Sequence, residues 1–163
     1  MWGWSFGASL ALDLAAREPR LPAAVCAGTV FGPVTPPEWS RALLADMARL
    51  LAARERGETA TLTPGERAFL VRPDLPAYLA RRRAFATWPG VAPEAVRAPL
   101  LVYTGTADEP VVSRLAGQRA ALAAAGIPLR VFPGLDHRQL VTATDVVLPP
   151  VRAFLRRHAA AQM

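Results

Sequence analysis

The sequence predicts an α/β domain, the C-terminal part of such a fold, in which about three mainly parallel strands are flanked by helices. Two continuous apolar runs, each followed by Gly, have the pattern of strands buried on both faces, and a short third strand is stopped by proline. Stretches of helical character alternate with these runs, as they do in α/β proteins. The composition, 52% hydrophobic and 20% charged over 163 residues, is that of a globular chain able to bury a core.

Strands and helices are expected to follow one another along the chain. Pro19 closes the first helix, and Gly126 follows the second, where helices commonly end on glycine. Pro149 and Pro150 are tolerated in the last helix only in its first turn or at a kink, because proline has no amide hydrogen. The predicted strands are 23–31, 99–104 and 129–132, and the predicted helices are 8–17, 111–125 and about 145–158.

Residues 36–98 have a different character and predict an all-helical insertion. Thr35 and Thr63 each stand three residues before a glutamate, with proline between them, which is the spacing of a capping box. Gly57 is expected to end the first helix of the insertion. The apolar stripes on these helices favour core packing over contact with a ligand. The predicted division is a core of residues 1–35 and 99–163 with a helical lid at 36–98.

The positive charge of the chain is weak evidence for a nucleic-acid partner. All 19 basic residues are arginines, the net charge is +6 and the pI is near 11.1. Nucleic-acid-binding modules cluster basic and aromatic residues on one face, whereas these arginines are spread along the chain. The run at 81–83 lies in a helical stretch and favours a solvated helix face. We therefore expect no nucleic-acid partner.

The cellular location is predicted from what the sequence lacks. No run of about 18 apolar residues is long enough to cross a membrane. The apolar N-terminal stretch has no basic region before it and is interrupted by Asp13, unlike a signal peptide. A single cysteine, Cys26, allows no internal disulfide and is expected to be a small buried hydrophobe. We therefore expect a cytoplasmic chain that contacts no membrane.

The motif Gly3-Trp4-Ser5-Phe6-Gly7 predicts a serine nucleophile. A serine at a sharp strand-to-helix turn needs glycines on both sides, because the backbones approach closely there. Such a turn exposes the hydroxyl and directs the amide of the next residue, Phe6, at the developing oxyanion. The pentapeptide alone is only suggestive, but a predicted helix follows it directly.

Asp108 is a candidate partner for this serine. It lies just beyond the predicted strand 99–104, at the edge where open α/β sheets place their sites. A carboxylate there would orient a histidine and stabilise the imidazolium. A turn aspartate, or an N-cap for the helix that begins near Val111, is an equally good interpretation of the spacing alone. Glu109 is a rival that fits the position less well.

His137 completes the predicted set. It follows the third strand, in the loop that begins at Pro133, whereas His158 lies in an Arg-rich terminal helix and is expected at the surface. Asp136 is excluded as its partner because adjacent side chains on a loop rarely face each other. The order Ser5, Asp108, His137 predicts a catalytic triad with His137 as the general base.

These motifs together resemble the α/β-hydrolase fold family, whose triad has the same order. The similarity covers the nucleophile turn, the segment 99–108 and the segment 133–137, and residues 36–98 resemble the variable helical lid of that family. Residues 151–155 also resemble its last helix. The resemblance implies acyl transfer through a covalent acyl-enzyme and no metal or organic cofactor. It also implies a small-molecule acyl substrate, and the apolar lid favours a hydrophobic one.

The departure from the family pattern lies before the serine. Members carry several strands there, with a loop that donates the second oxyanion amide, whereas only residues 1–4 precede Ser5 here. We therefore expect the C-terminal part of such a domain. In such a part, the strand at 23–31 would present an apolar edge that favours self-association. The alternative function is a non-catalytic fragment that associates with a partner chain or with itself through this edge. Esterase, thioesterase, peptidase, C–C hydrolase and perhydrolase activities are not separated by these motifs.

Overall fold

A parallel sheet of four strands organises the part of the chain that the computed structural model describes, residues 1–159. The strands lie in the order β1-β2-β3-β4, and all three pairings are parallel. This architecture confirms the predicted fold class and adds one strand to the three expected. The strands are β1 (Trp2–Trp4), β2 (Ala24–Ala27), β3 (Leu100–Gly105) and β4 (Leu129–Phe132).

Strand β1 corrects the predicted edge of the sheet. Its three residues pair with β2, with Gly3 in register with Cys26. Strand β2 is shorter than the predicted run and lies between β1 and β3, so its hydrogen-bonding groups are paired on both sides. The edge strands of the described sheet are therefore β1 and β4, and not β2. Strand β1 has only three residues, which is too few to form an apolar run that would predict a strand.

Eight α-helices occur within residues 1–159. A single-turn 3₁₀ helix at Thr59–Thr61 and another at Pro93–Ala95 accompany them. The helices are α1 (Phe6–Arg17), α2 (Pro37–Glu55), α3 (Pro64–Leu70), α4 (Leu75–Thr87), α5 (Val111–Gly117), α6 (Arg119–Ala124), α7 (Gln139–Thr142) and α8 (Thr144–Ala159).

Two of the predicted helices differ in detail. The helix predicted at 111–125 is divided at Gln118, whose side-chain amide donates to the carbonyl of Phe31 at 3.1 Å. In α8 the two prolines occupy the sixth and seventh positions, so of the two placements predicted for them the first turn was wrong. The helix continues through them because its buried face, including Val147 and Val151, packs into the core.

The chain divides into two compact units, residues 1–34 with those from 90 onward, and residues 35–89. The predicted lid extended to residue 98, whereas residues 90–98 belong to the first unit. Arg97 and Ala98 show why, because their amides both donate to the carbonyl of Ala15 in α1. The turn at Pro93–Ala95 lies in this stretch.

In the first unit, helices cover both faces of the sheet. Alternate residues of β2 point to opposite sides, as they must in a strand. Val25 belongs to the core cluster that contains Leu140 and residues of α8, whereas the thiol of Cys26 contacts the carbonyl of Ala8 in α1 at 3.3 Å. Burial raises the pKa of the Cys26 thiol to about 12, so this cysteine is a buried hydrophobe, as predicted.

The second unit contains α2, α3 and α4, and it has its own small apolar cluster, which includes Leu50 of α2 and Leu70 of α3. The capping box at α3 is confirmed: Thr63 Oγ1 accepts from the amide of Glu66, and the Glu66 carboxylate accepts from the amide of Thr63 at 2.7 Å. The one predicted at Thr35 was wrong, because Pro36 occupies the N-cap position and no side chain caps α2.

The end of α2 and the arginine run of α4 were also predicted from the sequence. Gly57 follows the C-cap of α2 with φ of 74°, as predicted for a helix end. Of the arginine run in α4, Arg81 and Arg82 lie with their guanidinium carbons 5.1 Å from the ring centroid of Tyr78, while Arg83 is exposed. Two of the three arginines therefore pack on an aromatic ring and do not form a purely solvated face.

Among the described helices, none is long and apolar enough to cross a bilayer.

Candidate active site

Ser5 lies at the turn between β1 and α1, in a backbone conformation that non-glycine residues rarely adopt. Its φ is 54° and its ψ is −118°, and it is the one non-glycine residue with positive φ within residues 1–159. Such a conformation costs about 1–3 kcal/mol and persists only where the surrounding structure imposes it. The turn therefore stores strain at the serine that the motif predicts to be the nucleophile.

Backbone hydrogen bonds hold Ser5 in this conformation from both sides. Its amide donates to the carbonyl of Ala27 at the end of β2 at 2.8 Å. Its carbonyl accepts from the amides of Ala8 and Ser9, at 3.0 and 3.2 Å, in the first turn of α1. Phe6, the predicted oxyanion donor, is the first residue of that helix, where the helix dipole is positive.

The two glycines of the motif are not equivalent. A Cβ built on Gly3 would lie 2.2 Å from the carbonyl oxygen of Gly7, so β1 and α1 approach closely enough to exclude any side chain at position 3. A Cβ built on Gly7 would have no atom within 4 Å. The prediction that close approach requires glycine on both sides therefore holds for Gly3 and was wrong for Gly7.

Asp108 follows β3 and is buried, with only 3% of its surface exposed. Its Oδ1 lies 2.9 Å from Nδ1 of His137, and its Oδ2 accepts a hydrogen bond from Thr104 Oγ1 at 3.1 Å. The interpretation of Asp108 as a helix cap is wrong, because Pro110 occupies the N-cap of α5 and no side chain caps it. The rival Glu109 instead accepts from the hydroxyl of Ser113 at the surface.

His137 lies in the loop between β4 and α7, with 41% of its side chain exposed. The contact with Asp108 occupies Nδ1, which leaves Nε2 as the ring nitrogen for other chemistry. The excluded neighbour, Asp136, accepts from the amide of Gln139 at the start of α7. His158 lies in α8, with its ring centroid 4.6 Å from that of Phe154.

Trp4 connects the His137 loop to the nucleophile turn. Its Nε1 donates to the carbonyl of His137 at 2.8 Å, and the two ring centroids are 5.3 Å apart. Because Trp4 precedes Ser5 directly, this contact brings the His137 loop beside the turn. The structure thus joins Asp108 and His137 directly and links them to the Ser5 turn through Trp4.

Two residues of this site, Trp4 and Thr104, carry no sequence signal strong enough to single them out. Trp4 occupies a variable position of the glycine-flanked motif, so its type indicates nothing by itself. Thr104 lies four residues before Asp108 in an apolar strand, and a buried threonine in a strand is most simply explained by β propensity. A buried carboxylate does need hydrogen-bond donors, and that requirement is the one signal pointing to Thr104.

Comparisons with known proteins show the fold. No family model and no curated protein matches the chain. Among solved structures, the α/β hydrolase GrgF from Penicillium sp. sh18 matches 98% of this chain with a TM-score of 0.59 and 21% identity. A carboxylesterase of the thaumarchaeon Nitrososphaera gargenis matches 98% with a TM-score of 0.65 and 15% identity. The chain has the α/β-hydrolase fold.

This α/β-hydrolase fold is the one that the motifs predict. The proline iminopeptidase of Mycobacterium smegmatis also shares it, with a TM-score of 0.57 and 19% identity over 99% of this chain. The chain spans less than the full length of these structures: 63% of GrgF, 65% of the carboxylesterase and 66% of the iminopeptidase. At such identities the α/β-hydrolase similarity concerns the fold, and the chemistry has to be argued from the site.

Proposed function

We propose that this chain is a serine hydrolase of carboxylic esters or related acyl compounds, with Ser5 as nucleophile, His137 as general base and Asp108 as the orienting acid. The observation that carries the proposal is the 2.9 Å contact between His137 Nδ1 and the buried carboxylate of Asp108, in a loop held beside the strained Ser5 turn. The same fold occurs in a carboxylesterase and a proline iminopeptidase, which supports an ester or amide substrate.

The proposed mechanism assigns one role to each group. Ser5 Oγ attacks the acyl carbon while Nε2 of His137 takes its proton. The imidazolium that forms is stabilised by Asp108, whose charge acts strongly because the carboxylate is buried. The amide of Phe6, at the positive end of α1, stabilises the oxyanion.

Collapse of the tetrahedral intermediate leaves the acyl group on Ser5. The leaving alkoxide takes the proton from His137 Nε2 and departs as an alcohol. A water molecule then gives its proton to Nε2 and attacks the acyl-enzyme, and the second collapse releases a carboxylic acid and restores Ser5. Water is the one co-reactant that these steps consume. We propose that the acyl substrate is a small molecule.

Labelling with a fluorescent fluorophosphonate, which reacts with activated serines, tests this proposal. We expect the folded chain to be labelled and Ser5→Ala to remain unlabelled, because the alanine variant lacks the attacking oxygen. Ser113→Ala is the matched control: Ser113 is exposed and its hydroxyl donates to Glu109 at 2.8 Å, so its loss should leave labelling unchanged. Absence of label on the folded wild-type chain, or equal labelling of Ser5→Ala, would contradict the proposal.

A second candidate function, association with a second copy of the chain, is favoured by the edge of the sheet. Within residues 1–159, β1 pairs only with β2, so its other side presents unpaired backbone groups. Four of the seven large hydrophobic residues that are exposed in this part of the chain lie in or next to β1 or in the helix that follows it: Met1, Trp2, Phe6 and Leu10. Such an edge can pair with itself about a two-fold axis, because each copy offers the same strand and the same apolar side chains.

Light scattering after size-exclusion chromatography distinguishes this second candidate. We expect a dimer for the wild-type chain and a monomer for Leu10→Glu, since Leu10 is 55% exposed and shares a face of α1 with Phe6. Val146→Glu is the control, because Val146 is 44% exposed on α8 and should leave the dimer intact. A monomeric wild-type chain would exclude the second candidate.

A further inference from the structure

We infer that Gly28 is a positioning residue for His137, because it leaves the space in which the imidazole lies. Gly28 directly follows β2 and has φ of 61°. A Cβ at this position would lie 2.8 Å from Cε1 of His137, closer than real Cβ atoms approach other atoms, and 3.0 Å from Nδ1, tighter than most real contacts. The consequence for catalysis rests on the proposed function, whereas the steric relation to His137 does not.

The backbone at Gly28 cannot move away to relieve such a clash. Its amide donates to the carbonyl of Tyr103 in β3 at 3.0 Å. On the other side, the carbonyl of Ala27 accepts from the amide of Ser5 at 2.8 Å. These bonds fix the end of β2 between the two neighbouring strands, so a side chain at position 28 would displace the imidazole and not the strand.

The imidazole of His137 cannot move away from an added Cβ without losing its own contacts. Nδ1, the atom nearest to the added methyl group after Cε1, is the atom that bonds Asp108. The indole of Trp4 lies 5.3 Å from the imidazole, centroid to centroid, and the fully buried Leu140 also lies within 3.1 Å of the added Cβ. Displacement of the ring therefore lengthens the bond to Asp108 and moves Nε2. A misplacement of about 1 Å typically costs a catalytic site about 100-fold in rate.

Gly28→Ala and Gly32→Ala form a matched pair for testing this inference. Both glycines have positive φ, 61° and 74°, so both substitutions strain the backbone. A Cβ at Gly32 has nothing within 4 Å, so only the Gly28 variant meets the imidazole. We expect the rate of fluorophosphonate labelling to fall about 100-fold in Gly28→Ala and to remain within about 3-fold of wild type in Gly32→Ala. Circular dichroism establishes that each variant is folded.

A double-mutant cycle on stability tests the contact without requiring activity. In the wild-type background, we expect the Tm of Gly28→Ala to lie several degrees below that of Gly32→Ala. In a His137→Ala background, where the imidazole is absent, this difference should largely vanish, because residues in contact give non-additive effects. If the Tm difference between Gly28→Ala and Gly32→Ala is the same in both backgrounds, the inference is overturned.

Proton NMR provides a direct view of the hydrogen bond. We expect the resonance of the His137 Nδ1 proton, shared with Asp108, in the wild-type chain and in Gly32→Ala, and its loss or upfield shift in Gly28→Ala. An unchanged resonance in Gly28→Ala would overturn the inference. The two failures are distinguishable: an unlabelled wild-type chain contradicts the proposed function, whereas an additive cycle contradicts the role of Gly28 alone.

Discussion

Replacing Asp108 with Asn is expected to lower the rate at which Ser5 reacts with acyl substrates or fluorophosphonates by about 10³–10⁴-fold. Oδ1 of Asp108 accepts from His137 Nδ1, and Oδ2 accepts from Thr104. If the asparagine amide donates to Nδ1, the ring proton moves to Nε2, which then cannot accept from Ser5. If the amide oxygen faces His137 instead, the tautomer is kept but the buried negative charge that stabilises the imidazolium is lost.

Thr104→Val is the matched control for this prediction. It removes the hydrogen bond to Oδ2 while keeping the size of the side chain and the charge of Asp108, so we expect a loss of about 10-fold or less. Single-turnover labelling rates, measured with circular dichroism on each variant, check both expectations. Equal losses in the two variants would mean that the charge of Asp108 contributes nothing beyond local packing.

Gly3→Ala is expected to cause a large loss of stability. The added Cβ would lie 2.2 Å from the carbonyl oxygen of Gly7, and a backbone atom cannot move aside as a flexible side chain can. We expect the free energy of unfolding to fall by about 3 kcal/mol, the upper part of the range for overpacking. For a chain of this size the corresponding decrease in Tm is about 10 °C.

Gly7→Ala provides the comparison for Gly3→Ala within the same motif. A Cβ at Gly7 has nothing within 4 Å, and the residue is helical, so alanine should stabilise the chain by about 0.5 kcal/mol. Thermal unfolding followed by circular dichroism measures both variants. A Gly3→Ala variant as stable as the wild-type chain would show that β1 and α1 do not approach as closely as the structure has them.

Much of the fold could be predicted from apolar runs, and the exceptions have physical causes. The strands β3 and β4 were predicted within one residue, because short, largely apolar segments bounded by Gly or Pro fit few other structures. Strand β1 was not predicted, since three residues form a strand only through pairing with β2. The first-turn placement of the prolines in α8 was also wrong, because core packing of Val151 and its neighbours keeps the helix continuous through them.

In the candidate site, the residues at strand ends could be predicted from the sequence, whereas those that matter only through tertiary contacts could not. Asp108 and His137 could be predicted as partners because strand ends of a parallel sheet meet at one edge, and the structure places them in contact. Gly28 could not be predicted as part of the site, because its importance lies in the space it leaves for a ring 109 residues later in the chain. The bond from Trp4 to His137 likewise depends on how the loop folds back.

The most direct test of the central proposal, that Ser5 is an activated nucleophile, is peptide-level mass spectrometry of the fluorophosphonate-treated chain. The proposal predicts that the adduct of the folded chain lies on Ser5, and that prior unfolding prevents its formation. An adduct that forms equally on the exposed Ser113, or a folded chain that carries no adduct at Ser5, would contradict the proposal.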